Sequence, residues 1–92
     1  MAQLIRTNGT RETIKPADSF NGFSLDELYA LINCDMIQHV PVGTFGIVID
    51  EEGKLRGQEL NAVATRQFRS QLLPGDVLVG NVLVLETAEE FQ

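Results

Sequence analysis

Residues 45–69 read FGIVIDEEGKLRGQELNAVATRQFR. The opening FGIVI is apolar and rich in β-branched side chains, which fits a buried strand. DEEG follows at 50–53, with glycine where a type I turn favours it. Residues 54–60 form a short irregular connection around Gly57. Asn61 then stands where a helix needs a side-chain acceptor for its free N–H groups. Ala64, Phe68 and Leu72 recur at helical spacing, so a helix is predicted over 62–71. Arg66 and Arg69, three apart, share another face of it. A strand that passes through a turn into a capped helix, with hairpin signals on both sides, points to an α+β fold.

On the N-terminal side, residues 36–42 form the partner strand. Gly43-Thr44 suits a type II′ turn into Phe45. That register puts Val40 and Val42 with Phe45, Ile47 and Ile49 on the core face, and His39, Pro41 and Val48 on the other. Pro41 argues for an edge strand or a bulge. Earlier still, Ser24 and Glu27 form a capping box, and Phe23 can staple onto Leu28. Leu25, Leu28, Leu31 and Ile32 form the apolar stripe of that helix, with Tyr29 at the core edge. Asn8-Gly9 suits a type I′ hairpin turn. Its register would put Ile5 and Ile14 on one face, and Leu4, Arg6, Arg11 and Thr13 on the other, with Arg6 opposite Arg11.

On the C-terminal side, Pro74-Gly75-Asp76 is a turn. Residues 77–85 are one long strand with Gly80 as a bulge, or a hairpin turned at Gly80-Asn81. The fold class predicted is α+β: an antiparallel sheet of about five or six strands with two helices packed on it, both on one face. The 92 residues make a single small domain, 1–92. A chain this short buries only about 60–65% of its unfolded surface, which favours self-association. The single cysteine, Cys34, excludes an internal disulfide and fits a reducing compartment. Residues 1–10 lack the apolar run of a signal peptide, and 77–85 are too short to span a bilayer as a helix. A cytoplasmic location without membrane contact is expected.

The net charge is -6. Residues 24–53 carry Asp26, Glu27, Asp35, Asp50, Glu51 and Glu52 with no Lys or Arg, whereas 54–69 carry Lys54, Arg56, Arg66 and Arg69 against Glu59 alone. An acidic total argues against DNA binding, which needs a broad basic surface, but leaves room for a local anion site. The set Arg56, Asn61, Thr65, Arg66 and Arg69 combines bidentate guanidinium donors with a helix start. Arg6 and Arg11 make a second cationic pair. The plain reading of all these arginines is solvated surface. His39 is the only histidine and has no companion ligand for zinc. The carboxylates of 50–52 lack EF-hand spacing and read as a solvated turn. Neither a metal nor another cofactor is implied.

Residues 25–31, Val40-Pro41, IVIDEEGKL at 47–55, Leu60-Asn61 with Ala64-Thr65, and VGNVLV at 79–84 together resemble a small domain family of unknown function found in bacteriophages, plasmids and other bacterial mobile elements. The resemblance covers roughly 24–85, and its most specific pieces are DEEGKL and the LN..AT helix start. Similar proteins often have proline where this chain has Ala62, and Gly-Asp-Val where it has Gly80-Asn81-Val82. The resemblance implies a setting, a mobile element in a bacterial host cytoplasm, and no chemistry.

No glycine-rich phosphate loop, metal cluster or nucleophile–base pair stands at recognisable spacing, so an enzyme is not expected. The leading expectation is a non-catalytic accessory protein that binds a phosphate-bearing small molecule, acting in counter-defence by sequestering a nucleotide-type ligand. The alternative is a protein–protein inhibitor or adaptor acting on a host bacterial protein, docked through a sheet edge, acidic faces and exposed apolar positions such as Val48. A third reading is a structural accessory whose activity is homo-oligomerisation.

Overall fold

Five strands form one antiparallel sheet in the order β2-β1-β5-β4-β3. The computed structural model describes residues 2–17, 22–34, 36–42 and 45–85. In chain order these hold β1 (Ala2–Ile5), β2 (Arg11–Ile14), α1 (Leu25–Ile32), β3 (Ile37–Val42), β4 (Phe45–Asp50), α2 (Ala62–Gln67), a short 3-10 turn (Arg69–Gln71) and β5 (Val82–Leu85). The last strand enters the centre of the sheet, between β1 and β4. It unites two local hairpins that would be marginal alone.

The helices lie on opposite faces of this sheet, not on one. Side chains alternate along each strand, and the alternation divides the core in two. Leu4, Val48, Leu83 and Leu85 pack with Phe23, Leu28 and Ile32 around α1. Ile5, Ile47 and Val82 pack with Ala64 and Phe68 around α2. Val48, expected on an exposed surface, is fully buried, because α1 covers the face that β4 was predicted to leave open. The β3–β4 register itself is as predicted, with Val40 opposite Ile47 and Val42 opposite Phe45. The turn at Gly43-Thr44 lies outside the described residues. Pro41 is on the outer edge strand, where a missing N–H leaves the ladder intact and discourages strand addition.

α1 starts as its sequence dictates. Ser24 Oγ accepts from the Glu27 amide at 3.2 Å, and Glu27 Oε1 accepts from the Ser24 amide at 3.0 Å. Phe23 and Leu28 are buried together. Asn33 ends the helix in the left-handed conformation, φ 63°, with its amide donating to the Tyr29 carbonyl. Leu25 departs from the predicted stripe and is half exposed.

The β1–β2 hairpin is one residue out of the expected register. The Gly9 amide donates to Arg6 O and the Arg6 amide to Thr10 O, both at 2.9 Å. Gly9 has φ 91°, while Asn8 keeps a negative φ. This is a type I turn followed by a glycine bulge, the three-residue alternative to type I′. Ile5 therefore sits opposite Arg11, and Ala2 opposite Ile14. Ile5 and Ile14 belong to opposite faces, and Arg6 and Arg11 do not face each other. Arg6 instead makes an ion pair with Glu12.

Residues 77–85 are neither a long strand nor a hairpin. Gly80, φ 73°, breaks the run. Before it, Val79 makes an isolated bridge to Leu60; after it, β5 joins the sheet. The predicted helix over 62–71 likewise divides at Phe68 into α2 and the 3-10 turn. Leu73 to Asp76 closes as a type II turn, with Pro74 second, Gly75 third at φ 81°, and the Asp76 amide donating to Leu73 O at 2.9 Å.

Candidate anion-binding surface

α2 is short, and buried polar contacts hold it in place. Asn61 is fully buried. Its Oδ1 accepts from the Ala64 amide at 3.0 Å, as an N-cap should. Its Nδ2 donates to both Ile5 O and Gly80 O at 2.9 Å. One side chain thus ties the helix start to β1 and to the kink before β5. Thr65 Oγ1 accepts from the Leu78 amide at 2.9 Å and lies 3.2 Å from Leu78 O, to which it donates. Asn61 and Thr65 thus both have their polar groups committed inward.

Arg56 is committed as well. Its Nη1 donates to Asp50 Oδ2 at 3.1 Å. Gln58 Nε2 donates to the same oxygen at 2.8 Å, and the Glu52 amide to Oδ1 at 2.9 Å. Asp50 was expected in a solvated turn, but its side chain is only 1% exposed. The turn folds back over it, so the buried charge acquires a guanidinium and two further donors. Glu51 and Glu52 remain exposed.

Arg66 and Arg69 stay on the surface. They line a shallow depression of about 410 Å³ with Leu60, Ala62, Thr65 and Val77. Arg69 Nη1 donates to Asp76 O at 3.0 Å, which fixes the guanidinium while using one of its five donors. Arg66 makes no side-chain hydrogen bond or ion pair among the described residues. Arg6 and Arg11 belong to the β1–β2 hairpin and do not line this depression. From the predicted set the structure thus leaves Arg66 and Arg69 together on the surface; Asn61 and Thr65 are buried with their polar groups satisfied, and Arg56 is half exposed but paired with Asp50.

A second hollow adjoins the first at Val77. It measures about 370 Å³; Val40, Ile49, Leu55, Leu72, Leu73 and Val77 form its apolar part, and Gln38, Glu51, Lys54, Gln71 and Asp76 its polar part. Leu55 is 88% exposed and Leu73 76%. Sequence reasoning overlooked both: Leu55 stands alone in a polar turn, and Leu73 follows Leu72, which belongs to the helical stripe, just before the Pro74 turn. Lys54 and Asp76 close an ion pair on the rim. Lys54, together with the Val77 amide, holds the Asp76 carboxyl below the ordinary aspartate range.

A family model described as "Domain of unknown function (DUF3846)" matches residues 3–92. The chain belongs to this family. The match reaches beyond the segment that carried the resemblance and takes in the β1–β2 hairpin from Gln3 onward, so the DUF3846 domain draws on all five strands of the sheet. No curated protein and no solved structure matches the chain. In this DUF3846 member no cluster of three or more His, Cys, Asp or Glu side chains that could hold a metal occurs among the described residues. No helix among them is long and apolar enough to cross a membrane. What the surface offers chemically is a pair of guanidinium groups beside apolar walls, a donor set for an anion.

Proposed function

We propose that this DUF3846 domain is a non-catalytic binding protein that receives an anionic group at Arg66 and Arg69. One observation carries the reading. In a chain with 13 acidic and 7 basic residues, these two exposed guanidiniums share a depression and have no carboxylate partner among the described residues. The other cations of this half of the chain, Lys54 and Arg56, are both neutralised by aspartates. Arg69 is oriented by Asp76 O, and an oriented guanidinium loses less freedom when it binds. The ligand class that suits such donors is a phosphate-bearing, nucleotide-type small molecule. Sequestration of such a molecule by a mobile-element protein in a bacterial host is the corresponding role.

The depression is open to solvent, so binding is expected to be modest and salt-sensitive. Titration calorimetry with ADP and with inorganic pyrophosphate tests it at low ionic strength. Saturable binding should appear and weaken as salt rises. Arg66→Glu with Arg69→Glu should remove it while the thermal melt keeps its cooperativity. Binding that persists in the double variant, or no binding of either probe, would refute the proposal.

A further inference from the structure

The anion depression and the apolar groove are parts of one surface, and a nucleotide phosphate would use only the first. Val77 lines both hollows. Arg69, in the first, donates to the backbone of Asp76, which lines the second. From this continuity we infer that the surface docks an acidic, apolar segment of a partner protein: one bulky aliphatic or aromatic side chain fills the groove beside Leu55 and Leu73, and a neighbouring Asp or Glu reaches Arg69 and Arg66. This rests on the reading of the two arginines as anion contacts and adds a protein carboxylate to the phosphate as an anion they receive.

Three features favour that occupant. The first is charge complementarity. On the groove itself Lys54 is paired with Asp76 and Asp50 with Arg56, which leaves Glu51 as a negative charge on the rim, so a docked carboxylate is directed to the far, arginine end. The unpaired positive charge lies at one end, with Arg66 and Arg69. A basic segment would be repelled there, and a neutral one would leave the arginines unused. The second is the apolar lining. Two leucines more than three-quarters exposed stand on one hollow, where a docked side chain would take both out of water. The third is the backing. Leu72, Val40 and Ile49 are partly buried against the core that contains Phe68 and Ile47. The floor is thus part of the fold, and partner binding need not order it. Specificity would come from spacing: an apolar residue and a carboxylate set to match Leu73 and Arg69.

The test selects peptides from a display library of random linear sequences on the immobilised full chain, then measures the recovered peptides, synthesised with a fluorescent label, by anisotropy. The expected peptides carry Asp or Glu close to Leu, Ile, Phe or Trp. Their affinity should fall at least tenfold for Arg66→Glu/Arg69→Glu and at least tenfold for Leu73→Ser. Leu73 is mostly exposed, so its variant should keep the wild-type melt, and light scattering should show wild type and variants at the same mass. Recovery of basic peptides, of peptides indifferent to either change, or of none at all overturns the inference. So does a dimer that dissociates on Leu73→Ser, which would give the groove to a second copy of the chain. If ADP binds through Arg66 and no peptide does, the anion site stands and the peptide docking falls. If neither ADP nor any peptide responds to the arginine changes, both fall.

Discussion

Arg56 Nη1 and Asp50 Oδ2 meet at 3.1 Å, and the contact commits the first arginine of the basic segment to a partner within the fold. Asp50 ends β4 with its side chain buried; Arg56 comes back over it from the far side of the turn, with its own side chain 42% exposed. Removing the cation would leave a buried carboxylate with the Gln58 side chain and the Glu52 amide. Placing a second carboxylate there would set two like charges in contact.

The expected outcome is a clear split between two charge reversals in the same segment. Arg56→Glu should destabilise the chain by about 2–3 kcal/mol, below the full cost of breaking a wholly buried pair because Arg56 is partly solvated. Arg66→Glu should stay within about 0.5 kcal/mol of wild type, as surface changes usually do. Urea denaturation measures both. Equal stability of the two variants would show that the Asp50–Arg56 contact does not hold the turn in solution.

Asn61 invites a sharper substitution. Aspartate is as good an N-cap as asparagine, so Asn61→Asp keeps the acceptor for the Ala64 amide. It replaces the two donated hydrogens with a carboxylate oxygen facing Ile5 O and Gly80 O. Two buried carbonyls lose a donor and meet a negative charge. A loss of roughly 3 kcal/mol or more is expected from the unsatisfied groups alone. Asn61→Ala, which adds loss of the cap but no charge, should cost no more than Asn61→Asp. If Asn61→Asp proves neutral, capping is the only role of the residue.

These two residues also mark how far the sequence could be read. Ser24–Glu27 and the cap at Asn61 were legible because donor and acceptor are three residues apart, and local spacing determines them. The second role of Asn61 was not, because its partner Ile5 is 56 residues away. The burial of Asp50 depends on how the 51–57 turns fold back, and no periodicity describes that. Asn8-Gly9 announced a hairpin correctly, but the same dipeptide serves both a two-residue and a three-residue loop. The difference of one residue moved Ile5 and Ile14 to opposite faces. The stripes of both helices were visible, yet a stripe does not say which sheet face it meets. Val48 was therefore misplaced although its strand and register were right. In the candidate surface, Arg66 and Arg69 were found by charge and spacing, whereas the inward hydroxyl of Thr65 was not foreseen. Leu55 and Leu73 escaped because whether a leucine is exposed is a tertiary fact.

Gly46 carries a packing constraint that a double-mutant cycle can isolate. A Cβ at this position would lie 2.4 Å from His39 Nε2 on the neighbouring strand. Gly46→Ala must therefore displace the imidazole, at a cost of about 1–2 kcal/mol as overpacking. Where nothing obstructs it, alanine is favoured over glycine in a strand by roughly 0.5–1 kcal/mol. In a His39→Ala background the same change should then be neutral or stabilising. The coupling between the two positions, read from thermal or urea unfolding of all four proteins, should exceed about 1 kcal/mol. A Gly46→Ala cost unchanged by His39→Ala would place the constraint elsewhere.

Acid should weaken the closure of the groove rim through Asp76. The Lys54 side chain, with the Val77 amide, stabilises the ionised carboxylate, so its folded pKa lies below the unfolded one. Between those two values the unfolded chain binds the proton and the folded chain does not. The contribution of Asp76 is therefore complete above the ordinary aspartate range, about pH 4, and is lost as pH falls through the lower folded value. The stability difference between wild type and Asp76→Asn should be constant from neutral pH down to about pH 5 and shrink below that. Lys54→Gln should remove most of the same acid-sensitive difference, because the ammonium is the largest cause of the shift. Both partners are substantially exposed, so the effect is small, and high salt should diminish it further. Urea titrations at closely spaced pH values provide the check. A difference that grows in acid would reverse the sign of the linkage and show that the carboxylate is not held by Lys54.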